Sequence, residues 1–255
     1  MDNQFLIDSF FKPLKLESTV SDVDYIKIKY QIEALSLLSN IANMSFYMID
    51  YQKKSFIYVS SNPLFLCGYG REEVLKMGYD FYSKILSPKD LSMLLEINQK
   101  GFEYFYNQPL EIRQNLYISY DFKIHHKDGQ QFMVNQKLIP FALTKDGDMW
   151  LSLCLVTLSV NENSGNVYIQ QINSTERLEY SFNSKRWKKS ETIKLTDTEL
   201  KILRLSAQGH TIKTIADTMH IDDSTVKFHK TNIFKKFNVY NIAEAIYFAS
   251  INNLI

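Results

Sequence analysis

The sequence predicts an α+β chain in two unequal parts. The larger, N-terminal part holds a five-stranded antiparallel sheet with flanking helices, and the smaller, C-terminal part is an all-α domain of four helices. Three observations carry this reading. Between residues 44 and 160, aromatic and β-branched residues fall in short runs split by turn formers; beyond residue 195 apolar residues recur at three- and four-residue steps. Two Asp-Gly pairs, Asp128-Gly129 and Asp146-Gly147, mark hairpin turns in the first region. In the second, Thr196, Gly209, Thr211 and Asp222 stand where helices start and stop. A chain of 255 residues, 45% apolar and 14% aromatic, can bury a core in each part.

Residues 1–20 read as an arm, with Phe5-Leu6-Ile7 and Phe10-Phe11 apolar and Pro13 preventing one long helix. From Asp22 to Ala42, Tyr25, Ile28, Ile32, Leu35, Leu38 and Ile41 give a helical stripe. A stripe so apolar must be covered, by the domain that follows or by a copy of itself in a dimer. Ser45–Tyr51 and Ser55–Ser60 form a hairpin across Gln52-Lys53-Lys54. Short helices over Asn62–Cys67 and Arg71–Met77 stop before Gly68 and Gly78. Ser87 caps, and Pro88 opens, a longer helix to about Tyr106. Three strands follow, over Ser119–His125, Gln131–Phe141 and Trp150–Leu158. The polar run 161–166 marks a boundary or an exposed loop. Val167–Ile172 and Leu178–Phe182 then make a further hairpin, turning at Asn173-Ser174-Thr175, and in the basic stretch Ser184–Lys189, Trp187 anchors the connector on a neighbour.

Two strands, a helical crossing and three strands, with Asn62-Pro63 after the second strand, Gly68-Tyr69, Arg71-Glu72-Glu73 and Asp128-Gly129, resemble a PAS domain over residues 31–160. The resemblance implies a sensor of a ligand or partner. Tyr47, Phe56, Tyr58, Phe65 and Tyr82 either line an apolar small-molecule pocket or simply fill the core. No cofactor is expected: the helix Pro88–Tyr106 has no His to ligate haem, the adjacent His125 and His126 lie on a strand, and residues 78–85 have no Cys for a flavin adduct. Cys67 and Cys154, each in apolar surroundings, are expected as buried free thiols.

In the tail, Thr196-Asp197-Thr198-Glu199 is a capping box opening a helix that runs to Gln208 and stops at Gly209. Thr211 caps a second helix that buries Ile212, Ile215, Ala216 and Met219. The turn His220-Ile221-Asp222 leads into a third helix over 223–237, which Asp222 can cap, and Ile242–Ile251 form the last. Along the third helix Val226, Ile233 and Phe237 fall on one side; Ser224, Lys227, Phe228, Thr231 and Lys235 fall on the other. A helix that enters a major groove needs an apolar back and a front of donors and methyl-bearing groups.

Leu195-Thr-x-x-Glu199, Ile202-Leu203, Gly209, Ile215-Ala216, Thr225-Val226-Lys227-x-His229, Asn232-Ile233, Lys236-Phe237-x-Val239 and Glu244-Ala245 resemble the LuxR-type helix-turn-helix over residues 191–255. By that resemblance Lys227, Phe228 and Thr231 read bases, and Thr211, Thr225, Lys230, Lys235 and Lys236 contact phosphates. The last helix contributes to dimerisation. Ile212 and Thr214 depart from the usual Asn and acid, and Ile242 from the usual Arg, which bears on the operator rather than the fold. Charge agrees: residues 185–255 hold twelve Lys or Arg against seven acids, a net of +5, leaving −4 for the rest. The domains expected are an arm and helix start over 1–30, a PAS-like sensor over 31–160, a hairpin connector over 161–190 and the DNA-binding domain over 191–255. The partners expected are double-stranded DNA, a second copy and a small-molecule ligand, with no membrane. Phosphate loops, metal-ligand spacings and nucleophile elbows are absent, so no enzyme is expected. The start lacks the pattern of a signal peptide, so a cytoplasmic protein is expected. The rivals are an interaction adaptor whose tail no longer reads DNA, for which Ile212 and Ile242 speak, and a cofactor-binding sensor.

Overall fold

The computed structural model describes residues 8–14, 19–174, 176–191, 193–252 and 254–255. The expectations for Phe5-Leu6-Ile7 and for Thr175 lie outside these. The chain divides into two compact units, Met1–Ser190 and Glu191–Ile255.

In the first unit a helical turn over residues 8–11 precedes α1 (Asp22–Ile41), whose N-terminus is capped by the Ser21 hydroxyl accepting the Asp24 amide at 3.3 Å. Strands β1 (Ser45–Asp50) and β2 (Ser55–Val59) form the first hairpin. Helices α2 (Pro63–Leu66), α3 (Arg71–Met77), α4 (Asp80–Ile85), α5 (Pro88–Tyr106) and α6 (Leu110–Arg113) make the crossing. As the Ser87-Pro88 pair dictates, the Ser87 hydroxyl accepts the Asp90 amide at 3.1 Å at the head of α5. Strands β3 (Leu116–His125), β4 (Gln131–Leu143) and β5 (Met149–Leu158) follow. The five strands lie in the order β2-β1-β5-β4-β3, each antiparallel to its neighbours, which is the PAS-like sheet arrangement.

The sheet does not stop at five strands. Strands β6 (Gly165–Gln171), β7 (Glu176–Ser181) and β8 (Arg186–Glu191) continue it past β3, so the residues expected as a hairpin connector are an extension of the same sheet. The physical reason is the free edge of β3. Its backbone groups need partners, and β6 supplies them while burying Val167 and Ile169. The polar run before β6 is held down rather than free. Asp121, fully buried on β3, accepts the Asn161 amide at 2.6 Å, the Asn166 amide at 2.8 Å and the Asn135 amide at 2.9 Å. Burial raises the Asp121 pKa above the usual carboxylate value, and these amides oppose the rise. Trp187 is the anchor expected, its ring centroid 5.0 Å from that of Tyr180 and 6.0 Å from that of Tyr104. Both thiols are buried and free, and burial pushes Cys67 and Cys154 up to about 12.

One face of the sheet carries the main core under α2–α5, including Phe65, Phe81, Ile85 and Phe102. The other face is covered by α1: Ile28 packs with Trp150 and Leu151, and Ile32 and Leu35 reach Phe46, Met48 and Tyr58. Phe65, 1% exposed, stacks flat on Tyr47 with centroids 4.0 Å apart. Phe65→Ala is therefore expected to cost the first unit about 3–5 kcal/mol, measured as the loss of its near-ultraviolet circular dichroism signal at lower urea; a shift under 1 kcal/mol would show that the stack does not support this core.

Candidate nucleic-acid interface and sensing core

The second unit is built from α7 (Asp197–Ala207), α8 (Ile212–Met219), α9 (Asp223–Phe237) and α10 (Ile242–Ile251). The capping box forms as the sequence dictates: the Thr196 hydroxyl accepts the Glu199 amide at 3.2 Å and Glu199 accepts the Thr196 amide at 2.8 Å. Gly209 at φ +86° lets the chain leave α7 in the left-handed region. The Thr211 hydroxyl caps α8 by accepting the Thr214 amide at 3.2 Å, and His220 turns the chain at φ 54° toward α9. Asp222 takes the N-cap conformation of α9, but its side chain accepts no capping bond; its carbonyl receives the Thr225 and Val226 amides.

Val226, Ile233 and Phe237 of α9 are buried, as are Ile202, Leu203, Ile215, Ala216 and Ala245 of the other three helices, and Phe237 stacks on Phe248. At about 100° per residue, the opposite face presents Ser224, Lys227, Phe228, Thr231 and Lys235, all of them exposed. The three residues expected to read bases thus share one solvent-facing strip. Phe228 is 61% exposed, an apolar ring set beside the Lys227 ammonium in sequence. The Thr231 hydroxyl donates to the Lys227 carbonyl at 3.0 Å, one turn back, which leaves its oxygen free to accept, and the residue is exposed. That strip offers one cation, one acceptor and two apolar groups. Such a set suits guanine O6/N7 next to a thymine methyl.

The phosphate candidates separate. Lys235 is exposed beside the strip, and Thr211 is exposed at the head of α8. Thr225 and Lys230 are half-buried at the margins of the buried face, and burial lowers the Lys230 pKa. Lys236 is exposed too, and its Nζ donates to Glu199 Oε2 at 2.6 Å and to the Lys194 carbonyl at 3.1 Å, so the ammonium also ties the last turn of α9 to the head of α7. The cause is Glu199, only 3% exposed, whose carboxylate must be paired where it lies. The sequence signal was the capping box itself, because a buried box acid needs a cation.

In the first unit, four of the five aromatics expected around a ligand do come together. Tyr47, Phe56, Phe65 and Tyr82 are all buried in one cluster and fill the space among themselves. Tyr58 does not join them. Met48 pairs with Tyr58 and Ile49 with Phe56, so Ile57 is the extra residue of a β-bulge. The bulge reverses the alternation and turns Tyr58 to the α1 side, where its hydroxyl donates to Ser36 Oγ at 2.9 Å.

A buried polar chain not evident from the sequence runs through this core: Tyr82 to Tyr47, Tyr47 to Gln136 Oε1 at 2.8 Å, and Gln136 Nε2 to the Tyr120 hydroxyl at 2.6 Å. Burial raises the pKa of all three tyrosines, so they stay neutral donors and acceptors. Its signal in the sequence was Asn135-Gln136 inside a strand, where one of two adjacent polar residues has to face inward. The chain ends at a cavity of about 60 Å³ between α5 and β3, lined by Gly101, Phe102, Tyr104, Tyr120, Leu138 and Met149 among others. None of the five expected aromatics lines it.

Residues 194–249 match the family model of the bacterial regulatory proteins of the luxR family, so the tail is a LuxR-type helix-turn-helix domain. BvgA of Bordetella pertussis, a virulence-factor transcription regulator by name, is 42% identical over 60 residues, 24% of this chain and 29% of BvgA. The response regulator VraR of Staphylococcus aureus is 41% identical over 61 residues, again 24% and 29%. The chain thus spans about a third of the length of the curated relatives it matches. Among solved structures, the Vibrio cholerae VqmA dimer, a LuxR-type receptor, is similar over 88% of this chain and 87% of its own at 14% identity and a TM-score of 0.33. A Colwellia psychrerythraea PAS domain is similar over 52% and 96% at 16% identity and a TM-score of 0.37.

Burial pushes the Glu199 pKa up, but the hydrogen bonds from Lys236 and Thr196 outweigh it and hold the carboxyl below its usual 4.5. The folded tail therefore favours the ionised form: its stabilisation is full above pH 4.5 and is lost as pH falls through the lower folded value. Glu199→Gln is expected to lower tail stability at pH 7 by about 2 kcal/mol and to flatten its decline below pH 4.5, followed by thermal unfolding across pH. An unchanged pH profile would show that the carboxylate is not the pin.

Proposed function

We propose that this protein is a sequence-specific DNA-binding transcription regulator, not an enzyme, that acts in the cytoplasm as a homodimer. Its PAS-like unit responds to a ligand or partner and controls the LuxR-type tail. The observation that carries the reading is the front of α9, where Lys227, Phe228 and Thr231 stand exposed on a helix whose back is locked in the core. An adaptor with no use for DNA has no need of a cation and an exposed phenyl ring on the same strip. The proposed mechanism is a shift in dimer geometry that sets two α9 helices on half-sites about one helical turn apart.

On the sensing side, a cavity of about 60 Å³ has room for no more than a few waters, whereas small-molecule sites usually measure roughly 300–1,000 Å³. A ligand at this cavity therefore enters by repacking its lining, where Tyr120 would bring it to the end of the chain Tyr82–Tyr47–Gln136–Tyr120. No helix among the described residues is long and apolar enough to cross a membrane.

Binding to short duplexes measured over a salt series tests the proposal. Affinity for random-sequence DNA should fall steeply with salt, and Lys235→Ala should weaken binding to all sequences alike while reducing the salt slope by about 1. Lys227→Ala with Thr231→Ala should instead remove discrimination among sequences, at about 1–3 kcal/mol per contacted base pair, and leave non-specific binding largely in place. No binding at low salt would overturn the reading.

A further inference from the structure

Helix α1 is apolar on two opposite faces, and the sheet covers only one of them. Val23, Ile26, Tyr30, Leu37 and Ile41 are between 57% and 85% exposed. At about 100° per residue they fall within roughly 60° of one another, and roughly 180° from the buried Ile28 and Ser39. Val23, Tyr30 and Leu37 repeat at seven-residue intervals, the spacing by which one helix packs along another. With Leu38 and Met44 at its margins, the stripe exposes on the order of 800 Å² of apolar surface, more than a monomer usually tolerates in one patch and about what each partner contributes to an interface of standard size.

We infer that this stripe is the surface through which two copies of the chain associate, α1 against α1. The edge of the stripe says why the occupant is a second copy. Lys29 and Glu33, both exposed, lie along one edge four residues apart. A two-fold axis crossing two antiparallel helices between them sets each Lys29 opposite the Glu33 of the other copy, so the surface is complementary to itself in charge as well as in shape. This deepens the dimeric reading proposed above and rests on it for its purpose, because a regulator that reads paired half-sites needs a two-fold interface outside the reading helix.

The test is sedimentation velocity on the full chain at tens of micromolar, without DNA. The wild type should sediment at twice 29.9 kDa. Tyr30→Glu with Leu37→Glu should sediment at 29.9 kDa with an unchanged circular dichroism spectrum, its dissociation constant raised at least about a hundredfold. Should that variant fail to fold, Tyr30→Cys decides: a short bismaleimide should link two copies through it, because Cys67 and Cys154 are buried, while Ile172→Cys, exposed elsewhere on the unit, should give no such product. A monomeric wild type, or a folded double variant that stays dimeric, or cross-linking no better at Tyr30 than at Ile172, would overturn the inference. Because DNA is absent, failure of the DNA-binding reading leaves this result standing; conversely, a monomer that still binds single half-sites would sink only the interface.

Discussion

Glu199 lies 3% exposed where the head of α7 meets the last turn of α9, and its carboxylate receives both the Thr196 amide and the Lys236 ammonium. An acid so placed costs several kcal/mol unless it is fully paired, so the three residues stand or fall together. Their pairing fixes more than a helix end. The apolar back of α9, Val226, Ile233 and Phe237, sets the rotation of the reading helix about its own axis, while the ion pair fixes how far along that axis its C-terminal turn sits against α7. Lys227, Phe228 and Thr231 gain a defined presentation only because both constraints act on the same fifteen-residue helix.

The first unit answers a similar demand by different means. Its sheet has two faces to cover, and the chain uses the α2–α5 crossing for one and α1 for the other. The bulge at Ile57 serves that division, since it delivers Phe56 to the inner cluster and Tyr58 to α1 from the same short strand. Two networks carry most of the buried polarity: Asp121 accepts from three asparagine amides, and in the tyrosine–glutamine chain Tyr47 donates to Gln136 Oε1 while Gln136 Nε2 donates to the Tyr120 hydroxyl. Such a chain is well suited to sensing. In the proposed sensing, one added donor or acceptor at its Tyr120 end would make the others reorient.

Much of this was legible in the sequence where the signal is local. Periodicity, the Asp-Gly turns, the Ser87-Pro88 start and the Thr196–Glu199 box each act over a few residues, and the elements form where those patterns place them. The face of α9 was legible for the same reason, because helical spacing alone sorts Val226 from Lys227. What escaped depends on contacts between distant residues. The pairing of β6 with β3 joins segments some fifty residues apart, and neither carries a mark of it. Tyr58 was misplaced because a bulge is a property of two strands together. Lys236 reads as one more surface cation until Glu199, 37 positions away, is seen to need it. Gln136 looked like an ordinary strand residue because its partners, Tyr47 and Tyr120, come from two other strands.

The front of α9 is proposed to read DNA, and to do so in pairs. Selection of bound sequences from a random DNA pool by the purified full chain tests it most directly. A two-fold symmetric site whose half-sites are centred about 10 base pairs apart should be enriched, and the enrichment should be lost when Lys227 and Thr231 are both replaced by alanine. A bound pool no different from the starting one, or a site unchanged by those replacements, would contradict it.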